Sequence, residues 1–341
     1  MPGKLCENRI LQFLFVFRIM CAIKNESEVN GMLQQQAFQG GMTMLKGCLH
    51  CHTTRSDDHM PPDEVICLFK SKGYDFLAIT DHKKYNFTNF APETGLTVIP
   101  GMEYDNGRFP CKNGLRCFHT VCIGPLKEDG NGYEQDQVLP AAEAADQWEY
   151  QPYLDEVHAR KNLTIYCHPQ WSSTPARYFD QQKGNFAMEI WNSGCAMSCD
   201  MDTDAAYWDE LLGMGVPIYG VATDDGHSPD QHGHGWVMVR AENNVATILK
   251  ALEAGEFYSS CGPEIYNFYV ENNKACIDCS PVAKIRLHAD KHPTRIQRSA
   301  DGCLTHAEFE LKDWTGGYDY ARMTIVDKDG KYAWTNPIYL T

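Results

Sequence analysis

The sequence has no apolar run long enough to cross a bilayer as a helix. Its most apolar early stretch, Ile10–Ile23, falls short of a span and is broken by Gln12 and Arg18. Lys4 and Arg9 precede it as the charged region of a secretory leader would, yet no small-residue cleavage site follows. Residues 1–41 are therefore read as an N-terminal extension outside the fold, and no membrane partner is expected. Positive charge is scarce as well: 30 lysines and arginines stand against 45 aspartates and glutamates, a net charge of −15. That balance argues against a protein whose affinity comes from neutralising many phosphates along a nucleic acid. Low-complexity tracts and sequence repeats are absent. At 43% hydrophobic and 22% charged residues the chain has the make-up of an ordinary globular protein.

Cysteine, by contrast, is plentiful at 15 residues, but the count is odd and the spacings irregular. Cys276-Ile-Asp-Cys279 has no matching second pair, which argues against a zinc ribbon. Buried free thiols and a reducing cytoplasm are expected rather than a disulfide framework.

From residue 44 onward, short apolar runs end in metal-capable or acidic side chains. Residues 44–49 lead to His50-Cys51-His52, 74–80 to Asp81-His82, and 96–101 to Glu103. Residues 117–123 carry His119 near their start, 163–167 lead to His168-Pro169, and 216–222 lead to Asp224-Asp225-Gly226-His227. Helical patterns are expected between several of these runs, at Pro62 to Gly73, 134–160, 203–214 and about 243–254. Strands alternating with helices predict parallel β/α units, whose functional groups gather at the C-terminal ends of the strands. Beyond Gly262-Pro263, strand-like runs follow one another without helices. Residues 42–263 are thus expected to form a barrel and 264–341 a separate β-sandwich.

His50 and His52 carry the sharpest chemical signal. Residues two apart on a strand project to one face, so both imidazoles can reach one cation. His82, Glu103, His119 and His168 each sit at or near the end of a different strand, and Asp225 and His227 follow one more, positions that converge at a barrel mouth. Imidazole and carboxylate ligands suit manganese, zinc or iron. Asp81 is expected to orient an imidazole from behind, and Asp224 to act similarly or compete with Asp225. Cys51 and Cys167 are expected to point away into the core. Trp171 and Trp191 are candidates for stacking or packing.

These motifs resemble the PHP (polymerase and histidinol phosphatase) family. His50-Cys51-His52-Thr53-Thr54-Arg55-Ser56-Asp57 is similar to its opening motif, Thr80-Asp81-His82 to its second, Pro100-Gly101-Met102-Glu103 to its third and Asp225-Gly226-His227 to its closing one. The resemblance implies a distorted (β/α)7 barrel, here with a C-terminal β domain, holding two or three divalent ions. His50, His52, Glu103 and Asp225 would hold one, Glu103, His119 and His168 a second, and Asp57, His82 and His227 a third. Two features depart from the family: the short stretch between His119 and His168, which argues against a capped nucleotide pocket, and Lys83-Lys84 directly after His82.

The function that follows is a metal-dependent phosphoesterase acting on a small phosphorylated substrate through a metal-bridging hydroxide. Asp225, His168 and His227 are the catalytic candidates, the two histidines as proton donors to the leaving group. Arg177 and Lys83 are the candidate substrate cations, Arg177 because a guanidinium matches phosphate geometry. Rival expectations are an exonuclease on short single-stranded ends, an amide or lactone hydrolase, and a metal-stabilised scaffold with a binding module.

Overall fold

The computed structural model describes residues 35–36, 44–107, 109–111, 114–176, 182–201, 203–289, 295–311 and 318–340. Arg177 lies outside these residues, as do most of residues 1–41. The strands are, in chain order, β1 (Gln35–Gln36), β2 (Met44–Cys48), β3 (Phe76–Ala78), β4 (Thr97–Ile99), β5 (Gly101–Asp105), β6 (Phe109–Cys111) and β7 (Gly114–Arg116). They continue with β8 (His119–Ile123), β9 (Leu163–Tyr166), β10 (Asn185–Asn192), β11 (Tyr219–Thr223), β12 (Trp236–Arg240) and β13 (Phe257–Ser260). The remainder are β14 (Ile265–Glu271), β15 (Lys274–Val282), β16 (Lys284–Ala289), β17 (Arg295–Arg298), β18 (Leu304–Glu310), β19 (Tyr320–Val326), β20 (Tyr332–Thr335) and β21 (Ile338–Tyr339). The helices are α1 (Pro62–Ser71), α2 (Gln147–Ala159), α3 (Ser193–Cys199), α4 (Ala205–Gly213) and α5 (Val245–Glu253). No helix among the described residues is long and apolar enough to cross a membrane.

Two arcs of strands carry the candidate residues. One is parallel, β2-β3-β4. The other runs β5-β8-β9-β10-β11, antiparallel at β5–β8 and β8–β9 and parallel at β9–β10 and β10–β11. Single bridges at Cys51–Gly226 and His82–Glu103 join the arcs at one end, and no closed sheet forms among the described residues. The expectation of uniform β/α alternation therefore holds for only part of the chain. β5 and β8 are linked through the short strands β6 and β7 with no helix between them, and that return makes the pair antiparallel.

Side chains from both arcs fill the space between them, including Leu45, Phe76, Val121, Ile165 and Val221. Burying each contributes roughly 1.5–3 kcal/mol. Gly47 faces Phe76 across β2–β3, and a Cβ there would collide with the phenyl ring.

The helices follow their sequence signals closely. Pro62 opens α1 with Asp63 and Glu64 in its first turn, Val65, Ile66 and Phe69 are buried, and Gly73 follows at φ +78°. The expected helix over 134–160 is reduced to α2, which Asp146 caps by accepting from Trp148 and Glu149. Before it, Tyr85 and Leu139 donate their amides to Gln137 and Lys83, tying that segment to the loop after His82 in extended form. Pro140 restricts Leu139 to such a conformation.

The sheet containing β2 continues past the expected boundary at Gly262-Pro263. Its order is β17-β16-β19-β20-β13-β12-β2-β3-β4, so C-terminal strands extend the N-terminal sheet. A four-stranded sheet, β1-β14-β15-β18, shares an apolar core with β16 and β19 through Phe268, Ile277, Leu287 and Ile325. β1 lies within the segment read from sequence as an extension, yet Gln35 and Gln36 pair with Val270 and Tyr269. The cysteines of the described residues are free, and most are buried.

Candidate metal centre

All nine side chains read from the sequence as ligands meet at the end of the two arcs where the single bridges join them. His50 and His52, just beyond β2, bring their Nε2 atoms to 3.2 Å of each other and to 3.1 and 3.0 Å of Asp225 Oδ1. Glu103 is reached by both, at 3.5 and 3.4 Å. In the β5–β8 register Glu103 opposes Val121, which places His119 diagonally on the same face, Nδ1 at 2.9 Å from Glu103 Oε1. His168 Nε2 approaches the same oxygen at 3.4 Å. On the outer side, Asp57 Oδ2 lies 3.5 Å from both His82 Nε2 and His227 Nε2, and His82 Nδ1 lies 2.9 Å from Glu103 Oε2.

The donors fall into overlapping sets whose ligand atoms lie within 4.8 Å of one another: His50, His52, Glu103 and Asp225; His82, Glu103 and His119; and His52, Asp57, His82 and His227. Glu103, His52 and His82 are shared between sets. Glu103 Oε2 and His82 Nδ1 are buried and close, yet neither makes a hydrogen bond of good geometry. Buried polar atoms left in that state are costly unless a further partner satisfies them. A divalent cation fits this donor set.

Two backbones are strained where the ligands turn inward. His168 has φ +28° and Asp225 φ +49°, conformations that cost a non-glycine residue of order 1–3 kcal/mol. At His168 the left-handed backbone turns the ring toward the cluster. Cys167 keeps the alternation of β9, sharing the core between the arcs with Ile165, and so lies beside the donors instead of pointing away as expected. Its thiol accepts from the Val121 amide and lies within 4.8 Å of donor atoms of His50, Glu189, Glu103 and His168. Burial pushes its pKa well up, so it remains a neutral thiol. Cys51 does face inward to Ala78, in the core.

The charges hold one another. Burial would raise the Glu103 pKa, but His119, His82 and His50 keep it well below the carboxylate range. Burial would lower His82, yet Glu103, Asp105 and Asp57 push it up to about 12. His50 is raised in the same way, against its burial, by Asp225, Glu103 and Glu189.

Asp81 acts one step removed from the imidazoles. It accepts from Thr53 and from Ser56 Oγ, and Ser56 Oγ lies 3.2 Å from His52 Nδ1. Asp224 turns away from the cluster to bind the amides of Gly233, His234 and Gly235. Lys83 Nζ is held by Asp105 at 2.7 Å. Glu189 lies outside the set read from sequence. Its two oxygens receive His50 Nδ1, Thr223 Oγ1, the His168 amide and Asn192 Nδ2, and Asn192 also donates to Asp225 Oδ2. A carboxylate inside the apolar run Phe186–Trp191 was its one sequence signal, because a buried charge requires partners.

The cluster floors a cavity of about 280 Å³. Trp171 borders it, with its ring centroid 5.0 Å from that of His168. Cys195, Ser198 and Cys199 of α3, with Gln231, form the facing wall. Trp191 instead hydrogen-bonds to Ser193 Oγ.

No family model matches the chain, and no curated protein matches it. Among solved structures, it is similar to a two-domain protein from Bacteroides vulgatus ATCC 8482 containing a predicted PHP-like metal-dependent phosphoesterase. The identity is 14%, with 92% of this chain and 100% of the other covered at a TM-score of 0.48. A candidate metal-dependent phosphoesterase from Bifidobacterium adolescentis ATCC 15703 is similar at 13% identity, over 61% of this chain and 96% of its own, TM-score 0.41. An amidohydrolase from Chromobacterium violaceum, solved with sulfate and no metal, is similar at 13% identity over 54% and 88%, TM-score 0.37. The first carries the family name that the sequence motifs resemble. At such distances the chemistry has to be read from the side chains.

Proposed function

We propose that this chain is a metal-dependent hydrolase of phosphate esters, built on a distorted (β/α)7 barrel of PHP type. The observation that carries the reading is the convergence of His50, His52, Asp57, His82, Glu103, His119, His168, Asp225 and His227 on one cavity, with Glu103, His52 and His82 shared between donor sets. Two or three manganese, zinc or iron ions there would activate a water near neutral pH and neutralise charge on a phosphoryl group.

The protein's own groups do the rest. Asp225 draws His50 and His52 together, and Glu103 spans the inner donor sets. His227 or His168, both near Asp225, would pass a proton to a leaving group if its ring is not holding a cation. Arg177 follows the loop that carries Trp171 and would hold an anionic part of the substrate, with Lys83 as a second rim cation. The cavity volume supports a small ester over a polymer. The free thiols suit a reducing cytoplasm.

Metal analysis of the purified protein, followed by a phosphate-release screen of small monoesters with added manganese, tests the reading. Retained metal and manganese-dependent release are expected. Protein that binds no divalent ion, or that holds metal but cleaves no phosphate ester, overturns it.

A further inference from the structure

Asp58 and His232 form a buried pair that touches both loops of the outer donor set. Asp58 follows Asp57, and its Oδ2 lies 2.9 Å from His232 Nε2, with both side chains fully shielded from solvent. His232 belongs to the loop leading from His227 to β12. The other edge of its ring lies against Gly226, between Asp225 and His227, where a Cβ would collide with the imidazole. Nδ1 on that edge is buried and makes no hydrogen bond.

The ring is held in this place from several directions. Phe69 of α1 packs on it with centroids 5.4 Å apart, and Lys72 Nζ donates to the His232 carbonyl. The next three amides, at Gly233, His234 and Gly235, are fixed on Asp224. The imidazole is thus a wedge with one face on the loop of Asp57 and the other on the turn of His227.

We infer that His232 and Asp58 are positioning residues for the outer cation, setting the separation of Asp57 and His227. The inference rests on the metal-centre reading. Asp57 is the most exposed of the nine candidate ligands, at 51%, and its neighbour's grip on His232 anchors its loop from beneath. Losing a partner that orients a ligand typically weakens metal binding ~10–100-fold. The loss here should fall on one site of three.

Metal-free wild type, His232→Phe and Asp58→Asn proteins, titrated with Mn²⁺ by calorimetry and counted by native mass spectrometry, test this. Wild type should bind three ions. His232→Phe keeps the ring but loses Nε2, and should keep two ions unchanged while the weakest is bound at least ~10-fold less tightly. Asp58→Asn retains an acceptor and should fall between. Unchanged affinity for all ions with a lowered melting temperature would mean packing alone and overturns the inference, as would equal weakening at every site. A wild type that binds two ions overturns the outer site while leaving the hydrolase reading intact; one that binds none overturns both. Should His232→Phe not fold, Asp58→Asn and His232→Gln carry the same comparison.

Discussion

Glu189 braces His50 from behind: its Oε1 lies 2.7 Å from His50 Nδ1, and both side chains are fully buried. The contact fixes which ring nitrogen faces the cavity and leaves Nε2 for the cluster. Because the same carboxylate accepts from Thr223, Asn192 and the His168 amide, Glu189→Gln would turn an amide donor toward groups that are themselves donors. The variant should fold, as judged by circular dichroism, yet bind Mn²⁺ ~10–100-fold more weakly by calorimetry.

Asp225→Asn removes the negative oxygen nearest to the Nε2 atoms of both His50 and His52 while keeping the side chain's shape. Turnover should fall by more than ~100-fold with the fold retained. Wild-type activity in this variant would remove Asp225 from the centre.

Proton release should accompany metal binding. In the cation-free protein the surrounding carboxylates hold His82 up at about 12 and His50 well above the ordinary imidazole range, so these two rings keep protons through neutral pH, and His227 is raised as well. A cation must displace them, and affinity should therefore rise with pH between about 6 and 8. Calorimetry in two buffers of different ionisation enthalpy reads the released protons; identical heats in both would contradict this account. Without metal the sign reverses for stability. His82 contributes fully below the ordinary imidazole range and loses that contribution as pH climbs toward 12.

A second charged cluster joins the C-terminal strands to α4. Arg322 of β19 is fully buried, donates Nε to Asp209 at 2.8 Å and lies over the Trp208 ring at 4.4 Å. Arg322→Leu leaves Asp209, a third exposed, with only His288 beside it and should cost ~1–3 kcal/mol in urea unfolding. Burial and Arg322 also push neighbouring His288 down to about 4. Below the ordinary histidine range the unfolded chain takes a proton that folded His288 refuses. The stability present above about 6.5 should thus drain away as pH falls toward 4.

The donor sets were legible because strand periodicity places His50 and His52 together and because His82, Glu103, His119, His168 and the Asp225–His227 pair stand at or near the ends of separate apolar runs, whereas Asp57 came only with the motif resemblance. Glu189 was less visible, since a single carboxylate in a strand does not announce its partners. His232 and Asp58 were invisible for a related reason: the first meets Gly226, and the second meets His232, only through tertiary packing. The antiparallel pairs β5–β8 and β8–β9 also escaped a reading based on alternation, because local patterns fix a strand but not the direction of its neighbour. Cys167 shares the interior face of β9 with Ile165, and only the turn at His168, φ +28°, brings the next side chain to the same cluster.

Asn336, near the C-terminus, accepts from the Gly220 amide and donates to the carbonyls of Gly255 and Phe257. Beside it, β20 pairs with β13, which pairs with β12 and so with β2. On one edge β2 therefore has to wait for β12, a strand synthesised only after α1 to α4. Until then its polar edge stands open on the ribosome, and a chain halted midway would carry an unfinished sheet ready to pair with strangers.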